Sequence, residues 1–590
     1  MRSGRFHAVA DAESFHHADF RKGFRSPLNQ HVRFSSDGRH LLYLRGGLKS
    51  HSPDDPQPKL TLMSVQLDGQ GAQEVLVSDT DVDSILASPD LSAALVLGRN
   101  HEAHVLPLDL QDRERVHIDL SKATRIADAV TSAAWADSRT IIYGDLNRIY
   151  SYTLGSSGPR LLEQIDLVTP RRAGNDAFAV RNARIITMDG ETGAGRIIEQ
   201  GVIVVRGQRI SAIGPGEAIR VPDDAVVIDG SGLTIMPGLV DVHSHSLTES
   251  SRPLAIPEEI HRSGADLAYG ITTALDAGGL ADDGPLSMIE LIESGRLLGP
   301  RWFSTLQAVN YDTGWHPWEI RRPSSREDAA RRVARQVSLG ASHSIKIRAQ
   351  SHRLHSQWFA EAARVSGVTA TAHVGTFNEL LNRSAAGMAV DHASMVYPLY
   401  GDVTRFLAES RAVWTANVSS AMDMHCFLAS LPSDIQRREL DKAKRLALEF
   451  VEESRLSHAQ CEPSLSYFLA QSAAAITREG GRIALGVDGN PPIMDHSEMA
   501  LLAKAGMSVG DVLRAATLNG AIKLGIDADT GSLEVGKLAD FLVLARNPLE
   551  AIENTISVKW TVVGGAIYDA ARLEVVEAGD TQRFRDRSER

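Results

Sequence analysis

Cysteine is nearly missing from this chain of 590 residues: there are two, Cys426 and Cys461. They could pair with each other, but a disulfide framework is excluded, and a reducing compartment is the simpler reading. Long apolar runs are missing too. Nowhere do ~18 apolar residues follow one another, as a membrane-crossing helix requires. The opening stretch, MRSGRFHAVADAESFHH, has no apolar segment of the kind a secretion signal carries. A soluble, cytoplasmic protein is therefore expected, with periplasm or exterior left open should a leader have been removed. Nor is charge of one sign gathered anywhere. The net charge of −12 is dispersed, which argues against nucleic acid and anionic membrane as partners. Hydrophobic residues make up 43% and charged residues 23%, ordinary for a globular enzyme. The length exceeds that of one compact domain and suits roughly three or four.

What is present begins to cohere at IMPGLVDVHSHS, residues 235–246. The run Ile235–Val242 reads as a buried strand opened by the Pro237-Gly238 turn. It ends in His243 and His245, which two-residue periodicity places on one side of the strand. Two neutral imidazoles converging there suit a divalent transition metal, although a surface pair is the commoner origin of His-x-His.

On the N-terminal side, residues 1–30 are polar and aperiodic, and His7, His16 and His17 read as solvated. A weak repeat follows. VRFSSDGRHLLYL (32–44), ILASPDLSAALVL (85–97) and AAWADSRTIIYG (133–144) each carry a small–Asp turn and an alternating strand. KLTLMSVQL, AHVLPLDL and RIYSYTL follow them as second strands. A period of about 50 residues with hairpin signals describes propeller blades. Three blades fall short of the ~4–8 of a closed ring, so their edges await cover from the rest of the chain or from a second subunit. Residues 1–165 are thus expected to be an all-β partial propeller, and 164–176 a linker. Short hairpin strands over 177–236 are mirrored by 529–575, which predicts one small composite β-sandwich built from both flanks.

Between the flanks, eight apolar strand candidates alternate with amphipathic helical stretches. They are 239–245, 270–279, 301–309, 343–350, 367–375, 387–396, 412–420 and 482–490. This α/β pattern over 237–528 predicts a (β/α)8 TIM barrel whose site lies at the strand C-termini. Residues 421–481 read as a helical insertion, with LDKAKRLALEFVEESRL an amphipathic helix or lid. Polar residues stand at several strand ends: His243 and His245 on the first, Lys346 on the fourth, His373 on the fifth, His392 on the sixth and Asp488 on the eighth. Singly, each has a plain structural explanation, such as a turn aspartate before Gly489. Lys346 resists one, because a lysine on an apolar strand must be neutralised or paired. Asp391, beside His392, alternates to the opposite side and reads as structural. His425, His458 and His496 read as non-ligands.

Taken together, these residues resemble the signature of the amidohydrolase superfamily in its binuclear, carboxylated-lysine form. The tail LRAATLNGAIKLGIDADTGSLEVGKLADFLVLARNPL (513–549) is similar to that superfamily's C-terminal segment. The blades resemble Tol-type, WD-like propellers that precede such barrels in a subgroup. The resemblance implies two divalent ions, zinc first, with manganese, iron or cobalt also accommodated. It implies that His243, His245 and Asp488 hold one ion and His373 and His392 the other. A CO2-derived carbamate on Lys346 would bridge them, with hydroxide between the ions as nucleophile and Asp488 as proton shuttle. The implied activity is hydrolysis of an amide-type C–N bond in a small molecule: a dipeptide, an N-acyl amino acid or a cyclic amide. Deaminase, lyase or cyclase chemistry on the same scaffold stays open, as does a binding protein with a vestigial barrel. Arg348 shares the inward face of Lys346, where it either meets a substrate carboxylate or supports Asp488. Tyr311, Trp315, His316 and Trp318 in the loop after strand three either line the pocket or pack the loop. The unclosed blades suggest a homo-oligomer.

Overall fold

The computed structural model describes residues 33–35, 38–45, 60–78, 82–98, 102–108, 116–128, 130–145, 147–166, 168, 177–245, 247, 261–278, 283–308, 323, 325–339, 343–348, 353–392, 398–415, 417–419, 421–446, 448, 461, 465–489 and 491–576. They fall into two compact units, one of described residues up to 168 and one from 177 onward.

The described strands of the first unit form three sheets. The first sheet runs Arg33–Phe34, His40–Arg45, Thr61–Gln66 and Gln73–Ser78, with Val116–Ile118 added parallel to the last. The second comprises Val82–Ala87, Ala93–Gly98, Ala103–Pro107 and Thr124–Ala127. The third comprises Ser132–Trp135, Thr140–Asp145, Arg148–Thr153 and Arg160–Gln164. In the second and third repeats the aspartate fixes the hairpin. Asp90 Oδ1 accepts from Ser88 Oγ at 2.8 Å and from the Ser92 amide at 3.1 Å. Asp137 Oδ1 accepts from the amides of Arg139 and Thr140, both at 2.7 Å. A short carboxylate thus stands in for backbone carbonyls in a tight turn. Leu86, Leu95 and Val105 of the second sheet pack with Trp135, Ile141 and Tyr152 of the third. The Trp135 indole donates to the Leu86 carbonyl at 2.8 Å.

In the second unit the two flanks share one hydrogen-bonded sheet of nine strands. Ala177–Ile186, Ile197–Arg206, Arg209–Pro215, Val226–Asp229 and Thr234–Pro237 come from one flank. Phe541–Leu544, Val558–Val563, Ala566–Asp569 and Val575–Val576 come from the other. They join where Thr234–Pro237 runs antiparallel to Phe541–Leu544, Ile235 opposite Val543. Strand alternation divides the side chains between two cores. Ile235, Phe541 and Val543 enter the core of the sheet itself, with Phe178, Ile203 and Trp560. Met236, Leu542 and Leu544 face the other way, into the main barrel core with Leu239, Trp302 and Trp414.

The barrel strands are Leu239–Ser244, Ile271–Asp276, Arg301–Ser304, Ser344–Ile347, Thr369–His373, Ala389–Asp391, Val413–Thr415 and Arg482–Ile483. They form two parallel arcs of three and five strands in chain order. Strand eight and the residues after it return to strand one: the Val242 amide donates to the Leu485 carbonyl at 3.0 Å, and the Asp488 amide to the His243 carbonyl at 2.7 Å. Helices follow most strands. Phe377–Ala385 opens with a capping box between Thr376 and Glu379, and Arg326–Ser338 is capped by Ser325. The insertion before strand eight holds helices Ala421–Ser430, Ser433–Arg445 and Leu465–Arg478. Its Met424, Leu428, Ile435 and Leu440 pack on Tyr269, Ile493 and Met494. Cys426 and Cys461 are joined in a disulfide, at odds with the reducing compartment that two cysteines alone suggested. Residues 449–456 of the expected amphipathic helix lie outside the described residues. Among those described, no helix is long and apolar enough to cross a membrane.

Candidate metal centre

Strand one delivers its two histidines to the same side, as the two-residue spacing requires. His243 is buried and His245 is partly exposed. Opposite them the chain passes Gly486, whose place admits no side chain. A Cβ there would lie 2.7 Å from His243 Cβ and 2.9 Å from Thr415 Cγ2. That close approach brings Asp488 over strand one. Asp488 Oδ1 is 3.2 Å from His243 Nε2 and 3.0 Å from His245 Nε2. Donor atoms of His243, His245 and Asp488 all lie within 4.8 Å of one another, the one such group of three or more among the described residues.

His392 and His373 complete the mouth. The His373 and His392 ring centres are 4.3 Å apart, and those of His243 and His392 are 4.6 Å apart. His392 Nδ1 stands 3.7 Å from Asp488 Oδ2. The His392 backbone is left-handed, with φ of 66°, and its amide donates to the Thr415 carbonyl at 2.8 Å and to Asn417 Oδ1 at 3.2 Å. Asn417 in turn donates to the Gly486 carbonyl at 2.7 Å, tying the ends of strands six and eight. Burial, reinforced by the charge of Lys346, pushes the His373 imidazole down to about 3, and burial pushes His392 well below the usual range. Both are therefore neutral near pH 7, with lone pairs available. Burial opposes ionisation of Asp488, but hydrogen bonds from His243 and His245 outweigh it and hold the carboxyl well below its usual range.

Lys346 is fully buried and ion-paired with Asp391 Oδ2. Here the alternation argument fails. Asp391 faces the same interior as Lys346 and His243, because strand six ends at Asp391 and the left-handed turn at His392 resets the side-chain direction. Its Oδ2 accepts from Thr371 Oγ1 at 2.8 Å and lies 3.3 Å from His243 Nδ1, a contact not aligned as a hydrogen bond. Its Oδ1 pairs with the buried Lys523 of helix Leu518–Leu524, which also donates to Thr415 Oγ1 at 2.8 Å. Burial works against the charge on Asp391, but the two lysines prevail and keep it anionic. Burial lowers the Lys346 amine to about 8 despite Asp391. The sequence offered one signal for Asp391 and Lys523: each is a charge set in or at the end of a mainly apolar run, MAVD and GAIKLGI.

Arg348 lies past strand four and donates through Nη2 to the Gly278 carbonyl at 3.2 Å. Tyr311, Trp315, His316, Trp318 and His458 lie outside the described residues. His496 is held elsewhere, with Nε2 donating to the Tyr269 carbonyl and Nδ1 near Thr555 Oγ1, both at 3.0 Å. His425 is buried on the insertion helix Ala421–Ser430. The set of convergent donors, imidazole nitrogens with a carboxylate at the strand ends, has the chemistry of a divalent transition-metal site.

The profile of the amidohydrolase family matches residues 234–568. The imidazolonepropionase of Symbiobacterium thermophilum is 26% identical over 416 residues, spanning 63% of this chain and 91% of that protein. That of Bradyrhizobium sp. is also 26% identical, over 391 residues, 61% of this chain and 91% of the relative. Among solved structures, a prolidase complexed with N-methylphosphonate-L-proline superposes with a TM-score of 0.51 at 20% identity, over 67% of this chain and 99% of that one. Molinate hydrolase gives 0.52 at 17% identity, over 67% and 95%. At these identities the solved structures speak to the fold.

Proposed function

Because the chain belongs to the amidohydrolase family, we propose that it hydrolyses an amide-type carbon–nitrogen bond in a small molecule at a binuclear centre. What carries this reading is the convergence of His243, His245 and Asp488, with the rings of His373 and His392 set beside them, at one set of strand ends. His243, His245 and Asp488 would hold one ion and His373 and His392 the other. When bound, such ions, zinc first, supply Lewis acidity at the scissile carbonyl and an activated water near neutral pH.

The rest falls to the chain. Lys346 would carry the carbamate between the two ions, and burial favours this by lowering its amine to about 8, which raises the neutral, nucleophilic fraction above that of an ordinary lysine. Its nitrogen adds to the carbon of CO2 and releases one proton. Asp488 commits Oδ1 to the two histidines of strand one. Its Oδ2 is therefore the atom that takes the proton of the attacking water and passes it to the leaving nitrogen as the C–N bond breaks. Arg348, at the mouth between strands two and four, would meet a substrate carboxylate. Substrates of imidazolonepropionase and prolidase type form the panel to screen, together with N-acyl amino acids.

Elemental analysis of wild type and Lys346→Ala, purified without chelator and with bicarbonate supplied, tests the reading. Two ions per wild-type chain, falling in the variant, is the expected result. One ion in both would overturn the bridged pair and redirect the search to mononuclear chemistry.

A further inference from the structure

We propose that Asp391 and Lys523 together form the orienting partner of His243, Lys523 being a positioning residue that acts on the metal centre through Asp391. The inference rests on the binuclear reading above. His243 turns Nε2 toward Asp488 and His245, leaving Nδ1 on the opposite edge of the ring, 3.3 Å from Asp391 Oδ2. A histidine that offers Nε2 to an ion carries its proton on Nδ1, and a fixed acceptor there sets both tautomer and ring orientation. Asp391 meets that requirement because both of its oxygens are held. Oδ2 receives Thr371 Oγ1 at 2.8 Å and pairs with Lys346, while Oδ1 pairs with Lys523.

The two lysines are not equivalent. Lys346 stands on a barrel strand at the mouth, and in the reading above its nitrogen is committed to a carbamate. An ammonium then becomes an anion, and Lys346 no longer attracts Asp391. Lys523 comes from outside the strand layer, on helix Leu518–Leu524, and is steadied by Thr415 Oγ1 at 2.8 Å. It is the counter-charge that persists once the centre is assembled. A lysine on the buried face of a helix, 2% exposed, is costly without such a carboxylate. Pairing with Asp391 explains why it is there.

The test uses the full chain, with bicarbonate held constant, and compares Lys523→Met, Asp391→Asn, their double variant and Lys523→Arg. Zinc affinity is read by chelator competition, and the visible absorption of the cobalt-loaded protein reports ligand geometry. Lys523→Met should weaken the ion held by His243, His245 and Asp488 about 10–100-fold and displace the cobalt bands. The double variant should bind no more weakly than Asp391→Asn alone, and Lys523→Arg should recover part of the loss. Unchanged affinity and spectrum in folded Lys523→Met, or losses that simply add in the double variant, would overturn the proposal. Should Lys523→Met not fold, Thr415→Val serves in its place: a displaced cobalt band supports the proposal and an unmoved one sinks it. Wild type that binds no ion would instead sink the binuclear reading and this inference with it.

Discussion

In the proposed mechanism Asp488 combines metal ligation with proton transfer, its two oxygens facing different partners. Asp488→Asn keeps the shape and removes the base. Turnover should fall about 10²–10⁴-fold while at least one ion is retained, which kcat and metal content measured on the same preparation will check. Loss of both ions with no residual turnover would make its role one of ligation alone. The residues of this centre differ in how plainly the sequence declares them. His243, His245, Lys346, His373, His392 and Asp488 are polar side chains closing apolar strand runs, and that contrast is visible without coordinates. Asp391 was misread because alternation presumes that the strand continues, whereas the backbone turns left-handed at His392. Lys523 lies 132 residues from its partner, and its charge within the apolar run GAIKLGI marks it as unusual without saying what it pairs with. Only the three-dimensional placement of that helix reveals the pair.

At the level of elements, close approach and burial decide the outcome. Gly486 is where strand eight meets strand one. Gly486→Ala should push His243 aside, weakening metal binding in a chain that still folds; chelator competition beside a thermal melt would show it. Helix Ile493–Lys504 carries His496, whose burial, helped by the charge of Lys442, lowers the imidazole to about 3. The unfolded chain therefore takes up a proton near pH 6.5, well before the folded one does. Stability from this residue is present above about pH 6.5 and is lost as pH falls toward 3. The buried carboxyls of Asp495 and Glu498, pushed up by the same burial, act in the opposite sense. The difference between wild type and His496→Gln isolates the histidine: denaturant midpoints from pH 4 to 7 should fall less on acidification in the variant. Strand and helix order was readable because each barrel strand is a short apolar run followed by a periodic helix. For the nine-stranded sheet, the hairpins and the joining of the two flanks into one β unit were readable, but the strand pairing was not. Its central pairing joins Thr234–Pro237 to Phe541–Leu544, and no local pattern specifies a partner so distant in sequence.

Across the whole molecule, the apolar clusters of the first unit draw on residues 42–152, and those of the second on residues from 178 onward. Separate cores predict two calorimetric transitions, with zinc or chelator moving the one that belongs to the barrel. A single transition shifted as a whole by metal would contradict this. The Cys426–Cys461 bond closes a separation of 35 residues, so its reduction should cost roughly 3–4 kcal/mol of barrel stability. Chemical denaturation of Cys461→Ser against the oxidised chain measures it. The repeated turns of the first unit were legible because a turn aspartate has a local signature, but whether its sheets belong to a propeller is a question of partners that no single repeat encodes.

His392 and Asp488 both sit at positive φ, 66° and 53°, where an ordinary side chain costs about 1–2 kcal/mol. Glycine would relieve that cost at either position. A laboratory selection for heat resistance, blind to activity, is therefore drawn toward removing these two side chains and would return a sturdier barrel without its chemistry. Anyone evolving this protein for endurance should select with the metal bound and the reaction running, because two of the places open to such repair are residues of the proposed centre.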